Sequence, residues 1–157
     1  MNIYERTLER FARTPAGYWY VTKVAPRIDP PLLRATGGRI SSVYPVPTLL
    51  LTTIGAKTGL RRQSPLLYLR DGESLILVAS NYGRPGHPAW YRNLTAHPRV
   101  EVLAGRHTGT YVAHEIVDTA QRKELWDKAL DVYAGYGDYE LRARDRTIPL
   151  VRLTRSD

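Results

Sequence analysis

Apolar positions recur along this chain with two different periods. Between residues 3 and 13, Ile3, Thr7, Leu8 and Phe11 fall at helical spacing with Glu5, Arg6, Glu9 and Arg10 between them, which predicts a short amphipathic helix. Trp19, Tyr20 and Val21 continue the apolar character until Pro26, Pro30 and Pro31 break it. Pro31 can then open a further helix at Leu32, which Gly37 and Gly38 end. From Pro45 onward the runs become short and strand-like, at 46–54, 66–69, 75–79, around Val100 and Val102, at 110–117 and at 148–153. Asp71-Gly72 is a hairpin turn between the second and third of these, since glycine accepts positive φ at no steric cost. Six short strands joined by tight turns predict a small antiparallel barrel, mainly β with flanking helices.

Two helices interrupt the strands. Pro88 suits a first helical position, and Trp90 and Leu94 then share a face in a segment that ends before Pro98. Asp118, with Gln121 three residues later, resembles a capping box for a second helix, whose buried stripe is Leu125, Trp126, Ala129, Leu130 and Tyr133. The 157 residues are read as one domain, with 1–40 as an N-terminal helical segment. There is no internal repeat.

Composition narrows the function classes. The chain has no Cys, which excludes a disulfide framework, a thiolate metal site and a cysteine nucleophile. His87, His97, His107 and His114 show no ligand spacing, so no metal is expected. No apolar run approaches the roughly 20 residues of a membrane span, and the charged start does not read as a signal peptide; a soluble, cytoplasmic protein is expected. The formal net charge of +8 points to an anionic partner. Basic residues outnumber acidic ones up to Arg39, so this segment could touch an anionic bilayer or pack on its own barrel. No nucleic-acid-binding motif accompanies the charge, and no nucleic-acid partner is expected.

The densest candidate chemistry lies in residues 52–66. Gly55 and Gly59 bracket Lys57 and Thr58, and Arg61 and Arg62 follow between two apolar runs. Glycines let backbone N–H groups turn toward a ligand and the cations supply charge, so the loop reads as an anion cradle; a solvated hairpin turn has the same appearance. It is not a Walker P-loop, because Ala56 separates Gly55 from Lys57 and Leu51 occupies the first glycine position. Tyr133, Tyr136 and Tyr139, spaced by three, lie among Gly135 and Gly137; the glycines argue against continuous helix and for a mobile aromatic lid.

Six motifs in register carry a resemblance. T-T-x-G-x-K-T-G-x-x-R-x-x-P-L at 52–66, the Asp71-Gly72 turn, V-A-S at 78–80, H-P-A-W-Y-x-N-L-x-A-x-P-x-V at 87–100, the Tyr-rich turn at 133–139 and R-x-I-P at 146–149 together resemble the deazaflavin-dependent nitroreductase family. The resemblance implies an FMN-binding-protein-like, six-stranded antiparallel split β-barrel. It implies coenzyme F420, an 8-hydroxy-5-deazaflavin with a phosphate and oligoglutamate tail, and hydride transfer to a quinone, enone or nitroaromatic acceptor. By this resemblance Lys57, Thr58 and Arg62 would hold the phosphate and tail, and the backbone of Ser64, Pro65, Leu66 and Leu67 would line the ring. Val78, Ala79, Ser80 and Asn81, with Ala89, Trp90, Tyr91, Arg92 and Asn93, would complete the pocket. Tyr133, Tyr136 and Tyr139 would close over the substrate and position it. Ala56, Asn81 and Leu67 depart from the Arg, Lys and Tyr of the family's nitroreductase, which leaves the cofactor class intact and nitro-drug activation open. Flavin mononucleotide or haem is the alternative cofactor, and a non-catalytic deazaflavin or lipid carrier the alternative function.

Overall fold

In the computed structural model, which describes residues 3–156, the chain is a mixed α+β protein built on one curled antiparallel sheet. Its strands are β1 (Thr48–Ile54), β2 (Arg61–Leu67), β3 (Leu69–Asp71), β4 (Ser74–Val78), β5 (Arg99–Leu103), β6 (Gly109–Glu115) and β7 (Leu150–Arg155), in the order β2-β1-β5-β6-β7-β4-β3. There are seven strands rather than six. The apolar run 66–69 is divided at Tyr68, which falls opposite Pro47 and donates to its carbonyl at 3.2 Å but receives no bond in return, since proline has no N–H. β2 also begins earlier than hydropathy suggests, because its first residues are the exposed Arg61, Arg62 and Gln63 on an edge strand. The turn at Asp71-Gly72 is present, with Gly72 at φ 60°.

Side chains alternate across the sheet and explain the core. Leu49, Leu51, Leu75, Leu77, Val100, Val102, Tyr111, Val151 and Leu153 fill one side. Ile76, Val78 and Leu150 face the other way, onto Leu125 and Ala129 of a helix. β4 is therefore buried on both faces, which is why it reads as an unbroken apolar run, whereas β5 alternates buried Val100 and Val102 with exposed Arg99 and Glu101. A methylene-stripping change such as Leu77→Ala falls in a fully buried site, where such losses cost about 2–5 kcal/mol.

Six helices surround the sheet: α1 (Ile3–Ala12), α2 (Pro15–Trp19), α3 (Ala25–Thr36), α4 (Ala89–Ala96), α5 (Thr119–Val132) and α6 (Gly135–Arg142). Asp118 caps α5 by accepting from the Gln121 N–H at 2.8 Å, as its sequence indicates. The N-terminal prolines do not break the helix there. α2 passes through a π-helical turn at Tyr20–Val24 into α3, which starts at Ala25 and contains Pro30 and Pro31. Wider i→i+5 spacing in that turn makes room for Pro26, whose ring nitrogen has no hydrogen to give. α3 ends at Gly37 in the left-handed region (φ 65°), where Gly38 N–H returns to the Leu33 carbonyl at 2.7 Å.

The expected helical face of α1 is not what the fold uses. Ile3 and Phe11 are exposed, while Leu8 and Ala12 turn toward the cavity described below. α1 is held by Glu9, which accepts from the Ala134 N–H in a short bond, and by Arg13 just beyond it, which grips Asp138 bidentately at 2.7 and 2.9 Å. The Tyr-rich segment also differs from expectation. Gly135 and Gly137 lie in α6 rather than in a mobile lid, and Tyr133, Tyr136 and Tyr139 are all buried. A Cβ on Gly135 would stand 2.1 Å from the Tyr133 ring, so this glycine serves close approach rather than flexibility.

Candidate functional site

A cavity of about 570 Å³ opens between the N-terminal helices, the β2 edge, the end of β4, the start of α4 and the α5–α6 corner. Twelve predicted residues meet there: Ser64, Pro65, Leu66 and Leu67 on β2, Val78, Ser80 and Asn81 at the end of β4, Ala89 and Trp90 on α4, and Tyr133, Tyr136 and Tyr139. Lys57, Thr58 and Arg62 stand outside it on the exposed β1–β2 turn and the adjoining strand. Ala79, Tyr91, Arg92 and Asn93 are not on its wall.

The three tyrosines form one aromatic cluster. Tyr133 and Tyr139 share a hydroxyl–hydroxyl hydrogen bond at 3.2 Å, and Tyr136 packs edge-on to Tyr133 with centroids 5.2 Å apart. The Tyr136 hydroxyl makes no hydrogen bond among the described residues although the residue is only 6% exposed, and it belongs to the cavity wall. Burial raises the phenol pKa of Tyr136 and Tyr139 far above the usual 10, so both stay neutral donors at any working pH. Tyr82 adds a fourth ring. It sits at φ 58°, is edge-on to Tyr139 at 5.9 Å, and donates its hydroxyl to the Val21 carbonyl at 3.2 Å. That carbonyl lies in the π turn, five residues before the donor-less Pro26.

The loop at 55–60 is not the open backbone cradle its glycines suggest. Gly55 N–H donates to the Leu60 carbonyl, Gly59 N–H to the Gly55 carbonyl, Leu60 N–H to the Thr58 hydroxyl and Ala56 N–H to the Asn93 side chain. Most of its amides are thus satisfied internally, and what it offers outward is side chains. Arg61 is taken up by Glu101 across the sheet at 2.6 Å, an exposed pair that holds the carboxyl below its usual range through that hydrogen bond. Lys57 and Arg62 are in no ion pair among the described residues. Asn93 is a buried brace rather than a wall residue, accepting from Ala56 N–H at 3.0 Å and donating to the Thr53 hydroxyl at 3.2 Å. No group of His, Asp or Glu suited to a metal occurs among the described residues.

Sequence reasoning passed over several contributors. Arg146 donates to the carbonyls of Ser80 (2.6 Å) and Arg84 (3.2 and 3.3 Å) and approaches His87 Nδ1 at 3.2 Å, tying the strand-end loop to the C-terminal segment. Burial first, then this guanidinium, pushes the His87 pKa below its usual 6.5. Glu5, Glu9, Asp29 and Asp131 are also on the cavity wall. Carboxylates on helices carry no local signal, and only R-x-I-P marked Arg146.

An apolar cavity beside an edge strand with exposed cations outside it is the layout of a cofactor-binding oxidoreductase of the deazaflavin and flavin type. The residues fit such a group: among the described residues β2 lacks a strand partner on one side and Lys57 and Arg62 are in no ion pair, while Trp90 and Leu66 supply apolar surface. Residues 25–155 match the family described as F420H(2)-dependent quinone reductase, and the chain belongs to that family. An F420H(2)-dependent quinone reductase of Mycobacterium tuberculosis is 38% identical over 133 residues, 82% of this chain and 89% of the relative. A solved F420-H2 dependent reductase is 34% identical with a TM-score of 0.59, covering 68% of this chain and 93% of that one. A domain-swapped dimer at 31% identity has a TM-score of 0.62 and covers 79% and 94%. The haem storage protein HutZ of Vibrio cholerae, 16% identical with a TM-score of 0.55, shares the fold alone. The protein is accordingly an F420-dependent oxidoreductase by family.

Proposed function

We propose that this chain reduces a quinone in the cavity at the foot of Tyr136, using coenzyme F420 held along β2. When bound, the coenzyme supplies a hydride; a quinone that takes this hydride and one proton becomes the hydroquinone, while the coenzyme is oxidised by two electrons. The residues of the chain divide the remaining work. The edge backbone at Ser64–Leu67 and the face of Trp90 orient the ring, with Val78, Ser80, Asn81 and Ala89 completing its slot. Lys57 and Arg62, assisted by the Thr58 hydroxyl, hold the anionic tail outside. Tyr136 donates a hydrogen bond to the acceptor carbonyl, and the Tyr133–Tyr139 pair fixes its ring. Ala79, Tyr91, Arg92 and Asn93 support the slot from behind. The curled sheet acts as a split barrel of the FMN-binding-protein type, one domain for the whole chain, with residues 1–40 supplying part of the cavity wall.

The observation that carries this reading is the Tyr136 hydroxyl, which makes no hydrogen bond among the described residues and, on an otherwise buried side chain, opens on the cavity bounded by β2. A phenol donor that faces open cavity space and has no protein acceptor is free to donate to a bound carbonyl oxygen. Enone and nitroaromatic acceptors present oxygens to the same donor and are secondary candidates. A membrane contact finds its support only in exposed Ile3, Tyr4 and Trp19 near basic residues. The test is fluorescence titration with oxidised coenzyme F420 in parallel with flavin mononucleotide, followed by menadione reduction with the reduced coenzyme. Tight deazaflavin binding with turnover is expected. Preference for flavin mononucleotide overturns the cofactor assignment, and deazaflavin binding without reduction of any quinone turns the protein into a carrier.

A further inference from the structure

The charge inside the cavity is opposite to that of the protein around it. The chain carries 23 Lys and Arg and a net charge of +8, yet no Lys, Arg or His among the described residues lines this cavity. Four carboxylates do: Glu5, Glu9, Asp29 and Asp131. Two stand on α1, ahead of the stretch 25–155 that matches the family, so this wall is partly a property of this chain's own N-terminal arm.

Asp29 gives the wall a specific contact. It is only 3% exposed, and one carboxylate oxygen accepts from the Ser42 N–H at 2.7 Å. The other oxygen makes no hydrogen bond among the described residues and, unlike the Ser42 hydroxyl, is not sealed away from open space; the space beside it is the cavity. Its charge reaches the Tyr82 phenol, a neighbour of the tyrosine cluster. A buried carboxylate needs donors for its remaining lone pairs, and a ligand with a hydroxyl, N–H or ammonium group supplies them.

We propose that the carboxylate wall makes this enzyme select neutral or cationic, hydrogen-bond-donating acceptors and reject anionic ones, with Asp29 receiving the acceptor's donor group. The inference rests on the quinone-reductase reading of the cavity. It separates two electrostatic compartments: the anionic coenzyme tail is served by Lys57 and Arg62 outside, and the acceptor meets only negative charge inside. Like charges enclosed in a low-dielectric cavity repel far more than in water, so discrimination by charge is strong there.

The experiment uses the full chain loaded with reduced coenzyme and three naphthoquinones of similar size: menadione, a sulfonated analogue and an aminomethyl analogue, whose ammonium group carries N–H donors. The expected kcat/KM for the sulfonate is at least tenfold below menadione, with the ammonium compound equal to it or better. Asp29→Asn keeps an acceptor for the Ser42 N–H and should narrow the sulfonate penalty several-fold, as should Glu5→Gln on the rim. Calorimetric titration of the coenzyme-free protein with the same compounds reads the charge preference without turnover. Equal use of the sulfonate, or an unchanged ratio in both variants, overturns the proposal. If menadione itself is not reduced, the quinone-reductase reading fails instead, and the calorimetric order of affinities still decides whether the wall sorts by charge.

Discussion

Replacing Tyr136 by Phe tests the centre of the site with one atom. The hydroxyl it removes has no partner among the described residues, so folding loses no hydrogen bond and stability should stay within about 0.5 kcal/mol, near 1–2 °C in Tm for a chain of this size. Tyr139→Phe provides the contrast. It breaks the 3.2 Å bond to Tyr133 inside the cluster and should cost about 1 kcal/mol, or roughly 2–4 °C. Catalysis should move the other way. A neutral donor aimed at oxygen that gains charge on hydride arrival contributes about 1.4–2.7 kcal/mol, a 10- to 100-fold loss of kcat/KM in Tyr136→Phe. Coenzyme affinity should change less than twofold, because the ring edge and tail lie on other elements. Single-turnover oxidation of the reduced coenzyme by menadione measures the chemical step, and fluorescence titration measures the affinity. Because burial holds the phenol neutral well above the usual 10, Tyr136 should add no alkaline limb to the pH–rate profile below about pH 10. An unchanged single-turnover rate, or a tenfold loss of coenzyme affinity with normal turnover, would refute the positioning role.

Three further outcomes follow from the geometry. Lys57→Ala and Arg62→Ala should each weaken coenzyme binding about tenfold, about 1.4 kcal/mol, and flatten its salt dependence, as titrations at two ionic strengths would register. Asn93→Ala strands the buried Thr53 hydroxyl, frees the part-buried Ala56 N–H and should destabilise the fold by roughly 1–3 kcal/mol in urea unfolding. His87 and His107 both have folded pKa values below the usual 6.5, burial being the first cause in each. The unfolded chain then takes up their protons first, so their contribution to stability is full above pH 6.5 and declines as pH falls through 6.5 toward the folded values. Glu101 adds a loss of the same sign below 4.5. Thermal melts from pH 8 to 4 should show this slope, and it should lessen in His87→Gln.

The parts of the fold that were legible in sequence are those where local pattern and tertiary demand coincide. β5 alternates because one face is wet, and β4 is continuous because neither is. The Tyr68 break was invisible because the apolar run passes straight through it, and the start of β2 was hidden because an exposed edge strand of Arg61, Arg62 and Gln63 looks like loop. Pro26 misled because a π turn just before it takes up the missing donor, and Pro30 and Pro31 misled because α3 runs through them. Gly135 misled in the opposite sense, its missing side chain being filled by the Tyr133 ring. At the site, twelve of the motif-borne residues line the cavity, whereas Lys57, Thr58, Arg62, Ala79, Tyr91, Arg92 and Asn93 do not, and Asn93 braces the loop instead. The carboxylate wall assembles from α1, α3 and α5, and no local spacing records it.

The Tyr82–Val21 bond bears on how shortened forms of this protein should be interpreted. Tyr82 is a bulky residue in the left-handed region, a conformation that costs about 1–3 kcal/mol and persists only while its surroundings insist on it. One of those surroundings is the Val21 carbonyl, in the arm that precedes the family-matched stretch. A protein trimmed to residues 25–157 for convenience would keep every strand and every motif, yet lose that anchor together with Glu5, Leu8 and Glu9 from the cavity wall. Acceptor profiles measured on such a shortened chain would describe a differently shaped enzyme, and disagreements between full-length and trimmed preparations should be sought first at position 82.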